Sequence, residues 1–144
     1  MEPDSYQPGH IIYTEQYSVK TTDGVTTAII AGYPSKPGYK DAYGENARFQ
    51  RITGFIGITV KILIVVDHYN HCLRRIHRDT GLTKVFSGVC TSPGYRDGTQ
   101  AKFYCPTSII RDNQRRNQLL LSDGFNHAVR TVAISDGSSG GSGG

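Results

Sequence analysis

Apolar positions in this chain come in short bursts, and Pro, Gly and Asp interrupt them about every 10 to 15 residues. No segment keeps the three-to-four spacing of an amphipathic helix. The bursts are rich in Ile, Val, Thr, Tyr and Phe, the side chains that suit a pleated, half-covered surface, so they predict strands. "ILIVV" (62–66) and "QLLLS" (118–122) are continuous runs rather than alternations, the pattern of strands covered on both faces. "KILIVVDHYNHCLRRI" reads as strand, tight turn, strand. Asp67 and Asn70 suit the turn because their side chains bond local backbone and Asn tolerates left-handed geometry. "GLTKVFSG" adds a strand, and "ITGFIGITV" or "CPTSIIRD" another, giving four strands in each unit of about 55 residues.

The unit repeats. "DHYNHCLRRI" (67–76) returns as "DGFNHAVRTV" (123–132), with Asp67, Asn70, His71 and Arg74 answered by Asp123, Asn126, His127 and Arg130 at a constant interval of 56, as from 67 to 123. Pro37-Gly38-Tyr39-Lys40-Asp41 is answered by Pro93-Gly94-Tyr95-Arg96-Asp97 at the same interval. It falls to 54 at Ala47 and Ala101, because the second copy drops two loop residues. A worn third copy lies in 11–32, where Val19-Lys20 aligns with Leu73-Arg74. A four-stranded sheet cannot cover itself, so three such units must stack, and radial stacking of four-stranded sheets is a β-propeller. A β-sandwich is the runner-up, and it explains the repetition poorly.

At these residues the chain resembles the NHL repeat, a propeller-blade unit named for its Asn-His-Leu signature, with Asn70-His71-Cys72-Leu73 and Asn126-His127-Ala128-Val129 at the naming positions. The resemblance implies an all-β fold of antiparallel four-stranded blades forming a partial NHL-type β-propeller. On that reading 1–10 is an N-terminal extension and 11–32 a blade remnant lacking its first strand. Blade 33–88 is complete, and blade 101–135 lacks its last strand. The Gly/Ser-rich stretch 136–144 reads as an added flexible linker without packing value. Family propellers have six or so blades, so the chain is an excised piece, or assembles with copies of itself, or is a short propeller capped by its termini.

Composition narrows the function. At 144 residues and a formal net charge of +4 the chain fits one domain and permits an acidic partner without requiring one. No apolar run approaches the roughly 20 residues of a bilayer span. "MEPDSYQPGH" lacks the features of a secretory leader, so the protein is intracellular or a leader has been removed. The three cysteines allow one bridge, Cys90 to Cys105 on either side of a loop, with Cys72 buried as a small apolar residue; three reduced thiols is the alternative. A paired state favours an extracellular protein.

The candidate chemistry points to binding. His68, His71 and His77 are close in sequence but poorly spaced for chelation, so no metal or cofactor is expected, and no nucleophile arrangement or phosphate-cradling loop occurs. Arg74 and Arg130 recur with the aspartates and suit an ion pair to Asp67 and Asp123. Arg75, Arg78, Arg111, Arg115 and Arg116 do not repeat, and they suggest a basic rim for an acidic protein, a glycan or RNA. Tyr39 and Tyr95 repeat and read as structural, whereas Tyr33 and Tyr43 do not repeat and are free for contact. The expectation is a non-catalytic module that binds a protein partner through its loops and basic rim. RNA binding, as in some NHL propellers, is the alternative, and a metal-dependent lyase or hydrolase related to enzymatic propellers comes third.

Overall fold

A computed structural model describes residues 1–134, and residues 139–142 as backbone. Its strands form three antiparallel sheets in chain order. Sheet one holds β1 (Glu2–Pro3), β2 (Ile11–Thr14), β3 (Ser18–Thr22) and β4 (Thr27–Gly32). Sheet two holds β5 (Ile52–Thr59), β6 (Ile62–Asp67), β7 (Cys72–His77) and β8 (Thr83–Ser87). Sheet three holds β9 (Pro106–Arg111), β10 (Gln118–Asp123), β11 (Ala128–Ala133) and β12 (Ser139–Ser142).

Two-sided burial explains the continuous apolar runs. Along β6, Leu63 and Val65 join a cluster with Ile12, Val19, Ile30 and Ala31 of sheet one. The alternate residues Ile64 and Val66 join Leu119, Leu121 and Val132 of sheet three. Successive strand residues point to opposite faces, so a strand clamped between two sheets must be apolar at every position. The loops linking one sheet to the next complete both junctions, inserting Ala47 and Phe49 into the first and Ala101 and Phe103 into the second. Glycine is required where these loops leave β4 and β8. Gly32 and Gly88 have φ of 82° and 91°, and a Cβ at Gly32 would lie 2.2 Å from the Tyr17 carbonyl oxygen.

Several expectations need correction. Residues 1–10 are not merely an extension, because β1 pairs with β2 through Glu2–Ile12 and Pro3–Ile11, giving sheet one a first strand only two residues long. The stretch 136–144 lies partly outside the described residues, but Ser139–Ser142 pairs with β11, from Val129–Ser142 to Val132–Ser139. An open strand edge offers unpaired N–H and C=O groups that even a Gly/Ser backbone can satisfy. The disulfide joins Cys72 to Cys90, with Cα atoms 5.0 Å apart, and Cys105 is a free, buried thiol. Hairpin register decides this. Leu73 pairs with Ser87, so the residue opening β7 meets the loop just beyond β8, whereas Cys105 sits in the loop entering sheet three. In the turn, the left-handed residue is His71, with φ 60°, rather than Asn70.

Candidate functional site

Asp67 ends β6 fully buried, and its carboxylate organises the turn that follows. Its Oδ1 accepts from the backbone N–H of Gln50 at 2.9 Å, and its Oδ2 from Asn70 Nδ2 at 2.8 Å and Arg74 Nη1 at 2.9 Å. Asn70 Nδ2 also donates to the Gly38 carbonyl at 3.0 Å. Arg74, on β7, turns both Nη groups to the incoming loop, Nη1 to the Arg48 carbonyl and Nη2 to the Lys40 carbonyl and the Asp41 carboxylate at 2.7 Å, while its buried Nε makes no hydrogen bond among the described residues. Tyr39 and Phe49 lie against the guanidinium at 4.9 and 5.0 Å. Burial pushes the Asp67 carboxyl up, while Asn70 and the Arg74 charge pull it down.

The second junction reproduces this arrangement. Arg130 donates to Asp123 at 2.7 Å, to Asp97 at 2.6 Å and to the Arg96 and Lys102 carbonyls, with Tyr95 at 4.5 Å and Phe103 at 5.0 Å. Asn126 bonds Asp123 and the Gly94 carbonyl. In both assemblies the arginine and the strand-end aspartate are fully buried and join the sheets, while Asp41 with Tyr39, and Asp97 with Tyr95, form a solvent-exposed edge. In sheet one the counterpart has shrunk to a surface contact, Lys20 Nζ to Glu15 at 2.9 Å.

A different group of side chains gathers where sheets two and three meet, on the turns after β6 and β10. His68 Nδ1 lies 2.8 Å from the Pro106 carbonyl, which only a protonated Nδ1 can satisfy, so in the neutral ring its Nε2 is an acceptor. His71 Nδ1 accepts from the Cys105 N–H at 3.0 Å, so its Nε2 is the donor. Burial, and then the neighbouring His68, hold the His71 pKa below its ordinary value and keep that acceptor available. Burial also pushes the Cys105 thiol up, so it stays protonated. Around the imidazoles stand Tyr69, Tyr104 and Phe125, which are 50%, 38% and 63% exposed. His68 meets Tyr69 edge-on at 4.6 Å, His71 meets Tyr104 at 5.3 Å, and Tyr104 meets Phe125 at 5.1 Å. Arg51 reaches to 5.9 Å from the Tyr69 ring. The strip thus offers aromatic faces, one imidazole donor, one imidazole acceptor and a cation.

The residues expected to form a basic rim do not come together. Arg78 is only 8% exposed, because Asp4 and Gln7 of the N-terminal arm take its guanidinium and Tyr6 stacks on it at 4.9 Å. Burial raises the Asp4 carboxyl, but bonds from Arg78 and Thr21 outweigh that and hold it below its ordinary value. Arg75 is half-buried on β7, paired across the sheet with Ile64 and Lys84. Arg111 donates to the Gly57 and Ile58 carbonyls of sheet two, leaving Arg115 and Arg116 exposed in the β9–β10 turn. Tyr33 follows β4, with the Lys36 ammonium 5.2 Å from its ring. Tyr43 bridges to Leu82 in the β7–β8 turn, the opposite end of the sheets from Tyr69 and Tyr104. The two tyrosines therefore share no surface. The aromatic strip escaped the sequence reading because Tyr104 has no counterpart and joins the others only through the fold; the signal was the aromatic residue that precedes Asn-His in both turns, Tyr69 answered by Phe125.

Among the described residues, no group of three His, Cys, Asp or Glu side chains could hold a metal, and no helix is long and apolar enough to cross a membrane. Three consecutive four-stranded antiparallel sheets, packed face to face through duplicated junctions, define a partial β-propeller. No family model and no curated protein matches the chain. Solved structures do match. A Bacteroides thetaiotaomicron VPI-5482 protein of unknown function aligns with a TM-score of 0.76 at 22% identity, over 86% of this chain and 32% of its own. An auxiliary nutrient binding protein from the same organism gives 0.70 at 22%, over 85% and 33%. One from Bacteroides ovatus ATCC 8483 gives 0.61 at 18%, over 96% and 34%. At such identities the likeness establishes the fold. The chain spans about a third of the length of each of these proteins.

Proposed function

We propose that this chain is a non-catalytic binding module, an NHL-type partial propeller that holds a protein partner on the strip formed by Tyr69, Tyr104 and Phe125. One observation carries the reading. Phe49 and Phe103 are buried and Tyr39 and Tyr95 each turn a ring to Arg74 or Arg130, while Tyr69, Tyr104 and Phe125 carry no such guanidinium clamp and stay exposed together beside two imidazoles. Rigid aromatic rings with a few placed polar groups are the composition of interface hot spots. Two structural neighbours are described as auxiliary nutrient binding proteins, which supports a binding role. The Cys72–Cys90 bridge supports an oxidising, extracytoplasmic setting.

The test is selection from a displayed peptide library, followed by titration of the winning peptides. Tyr69→Ala with Phe125→Ala should weaken binding by about 30-fold or more, the loss expected on truncating hot-spot rings. Equal affinity of the variant would reject the strip. A ligand that binds RNA-like, with affinity falling steeply in salt and depending on Arg115 and Arg116 instead, would reject the protein partner.

A further inference from the structure

The two internal junctions show what this unit places against a sheet face, and among the described residues one such face has no sheet upon it. In sheet two the cross-strand pair Ile56 and Ile64 faces sheet three, with Ile64 fully buried and Ile56 packed on the same cluster. In sheet three the same register positions hold Ile110 and Leu120, and Ile110 is 60% exposed. Two adjoining shallow concavities of about 230 and 240 Å³ lie on this side, the second lined by Ser108, Ile110 and Leu120. The other end of the stack is the outward face of sheet one. There Ile11 is 41% exposed beside a concavity of about 180 Å³ formed with Met1, Glu2 and Pro3. Tyr13 and Lys20 pair across this sheet as Val65 and Arg74 do in sheet two.

We infer that a second copy of this chain covers the open face of sheet three with its own sheet one, and that the reciprocal contact closes six sheets into a ring. Each covered face of this type carries the following sheet of the same unit. Within the described residues, sheet one is the sheet whose receiving face stands open, so a second copy supplies the matching surface. Lys20 explains how such a junction closes without an inserted loop. An arginine at that position needs the carbonyls and carboxylate that the loops bring to Arg74 and Arg130, whereas Lys20 is met by Glu15 of its own sheet. A head-to-tail contact made twice closes with two-fold symmetry and leaves no sheet face exposed.

Sedimentation equilibrium of the intact chain tests this, with far-UV circular dichroism to confirm folding. The wild type should show twice the 15.8 kDa chain mass at micromolar concentration. Ile110→Glu and Ile11→Glu should each reduce it to one chain mass with unchanged dichroism. Should Ile110→Glu fail to fold, Ile110→Thr makes the same comparison. A wild type that stays at one chain mass overturns the inference. So does a dimer that Ile11→Glu leaves intact, which would mean that two copies of sheet three face each other, and so does open-ended polymer.

Discussion

Arg74 and Arg130 occupy positions where a sheet core would normally hold an aliphatic residue, and each is fully buried. Burying a guanidinium is costly unless its donors are met, and here two carboxylates and two loop carbonyls take both Nη groups of Arg74 and two rings stack on it, with Nε left without a hydrogen bond. Lysine cannot substitute, because a single ammonium reaches neither all those oxygens nor the stacking geometry. Arg74→Lys should therefore cost about 3 kcal/mol or more in urea unfolding, the scale of breaking a buried pair and stranding its partner. A loss under about 1 kcal/mol, as for an exposed pair, would show that the network contributes little. The Asp67–Arg74 and Asp123–Arg130 pairs could be read from the sequence because the repeat printed them twice. The partners Asp41 and Asp97 were visible as repeated letters, but their role depends on a loop folding back between sheets, which no local pattern states.

At the level of the strand and hairpin, the sequence was legible where burial on both faces leaves a continuous apolar run, as in β6 and β10. It was illegible where an element is short or lacks side chains. Glu2–Pro3 is too brief to carry a period, and Ser139–Ser142 has no apolar residue; each is a strand only because a neighbouring edge accepts it. The disulfide was misread for a related reason: Cys72 and Cys90 are 18 residues apart, and only the β7–β8 register brings them together. Closing a loop of that size restricts the unfolded chain, so replacing both cysteines by serine should cost about 3 kcal/mol. Denaturation curves with and without reductant measure it. Cys105 should not react with an alkylating reagent in the folded state, and identical curves for native and reduced protein would contradict the bridge as a stabilising element.

In the single chain, diluted below the concentration at which copies pair, stability should be uneven, because sheet two is covered on both sides while sheets one and three each have an outward face. In a stack whose units touch only their neighbours, the middle unit loses two junctions on opening and the end units one. Amide hydrogen exchange should then find the slowest protons in β6 and β7, with β2 and β11 exchanging through smaller openings. Protection that peaked in β2 would mean the sheets do not depend on one another. This ordering was implicit in the repeat, since three units in a row must have a middle. The solvent-facing strip at Tyr69, Tyr104 and Phe125 was legible only in part, for Tyr69 and Phe125 answer each other in the repeat whereas Tyr104 has no counterpart and meets Phe125 only in the fold.

The loop between sheets one and two is two residues longer than its counterpart, and yet Arg74 and Arg130 make equivalent bonds to both. The reason is that each arginine bonds the two facing carbonyls at the neck of its loop, Lys40 with Arg48 and Arg96 with Lys102, residues that bridge each other across a small hairpin, and just beyond them the first aspartate, Asp41 or Asp97. Whatever lies beyond that aspartate is not measured by the clamp. The tip around Gly98 is thus a port where this architecture accepts new lengths and new chemistry without renegotiating how its sheets are joined, whereas the Gly44 tip is already tied to the β7–β8 turn by its N–H on the Gly81 carbonyl.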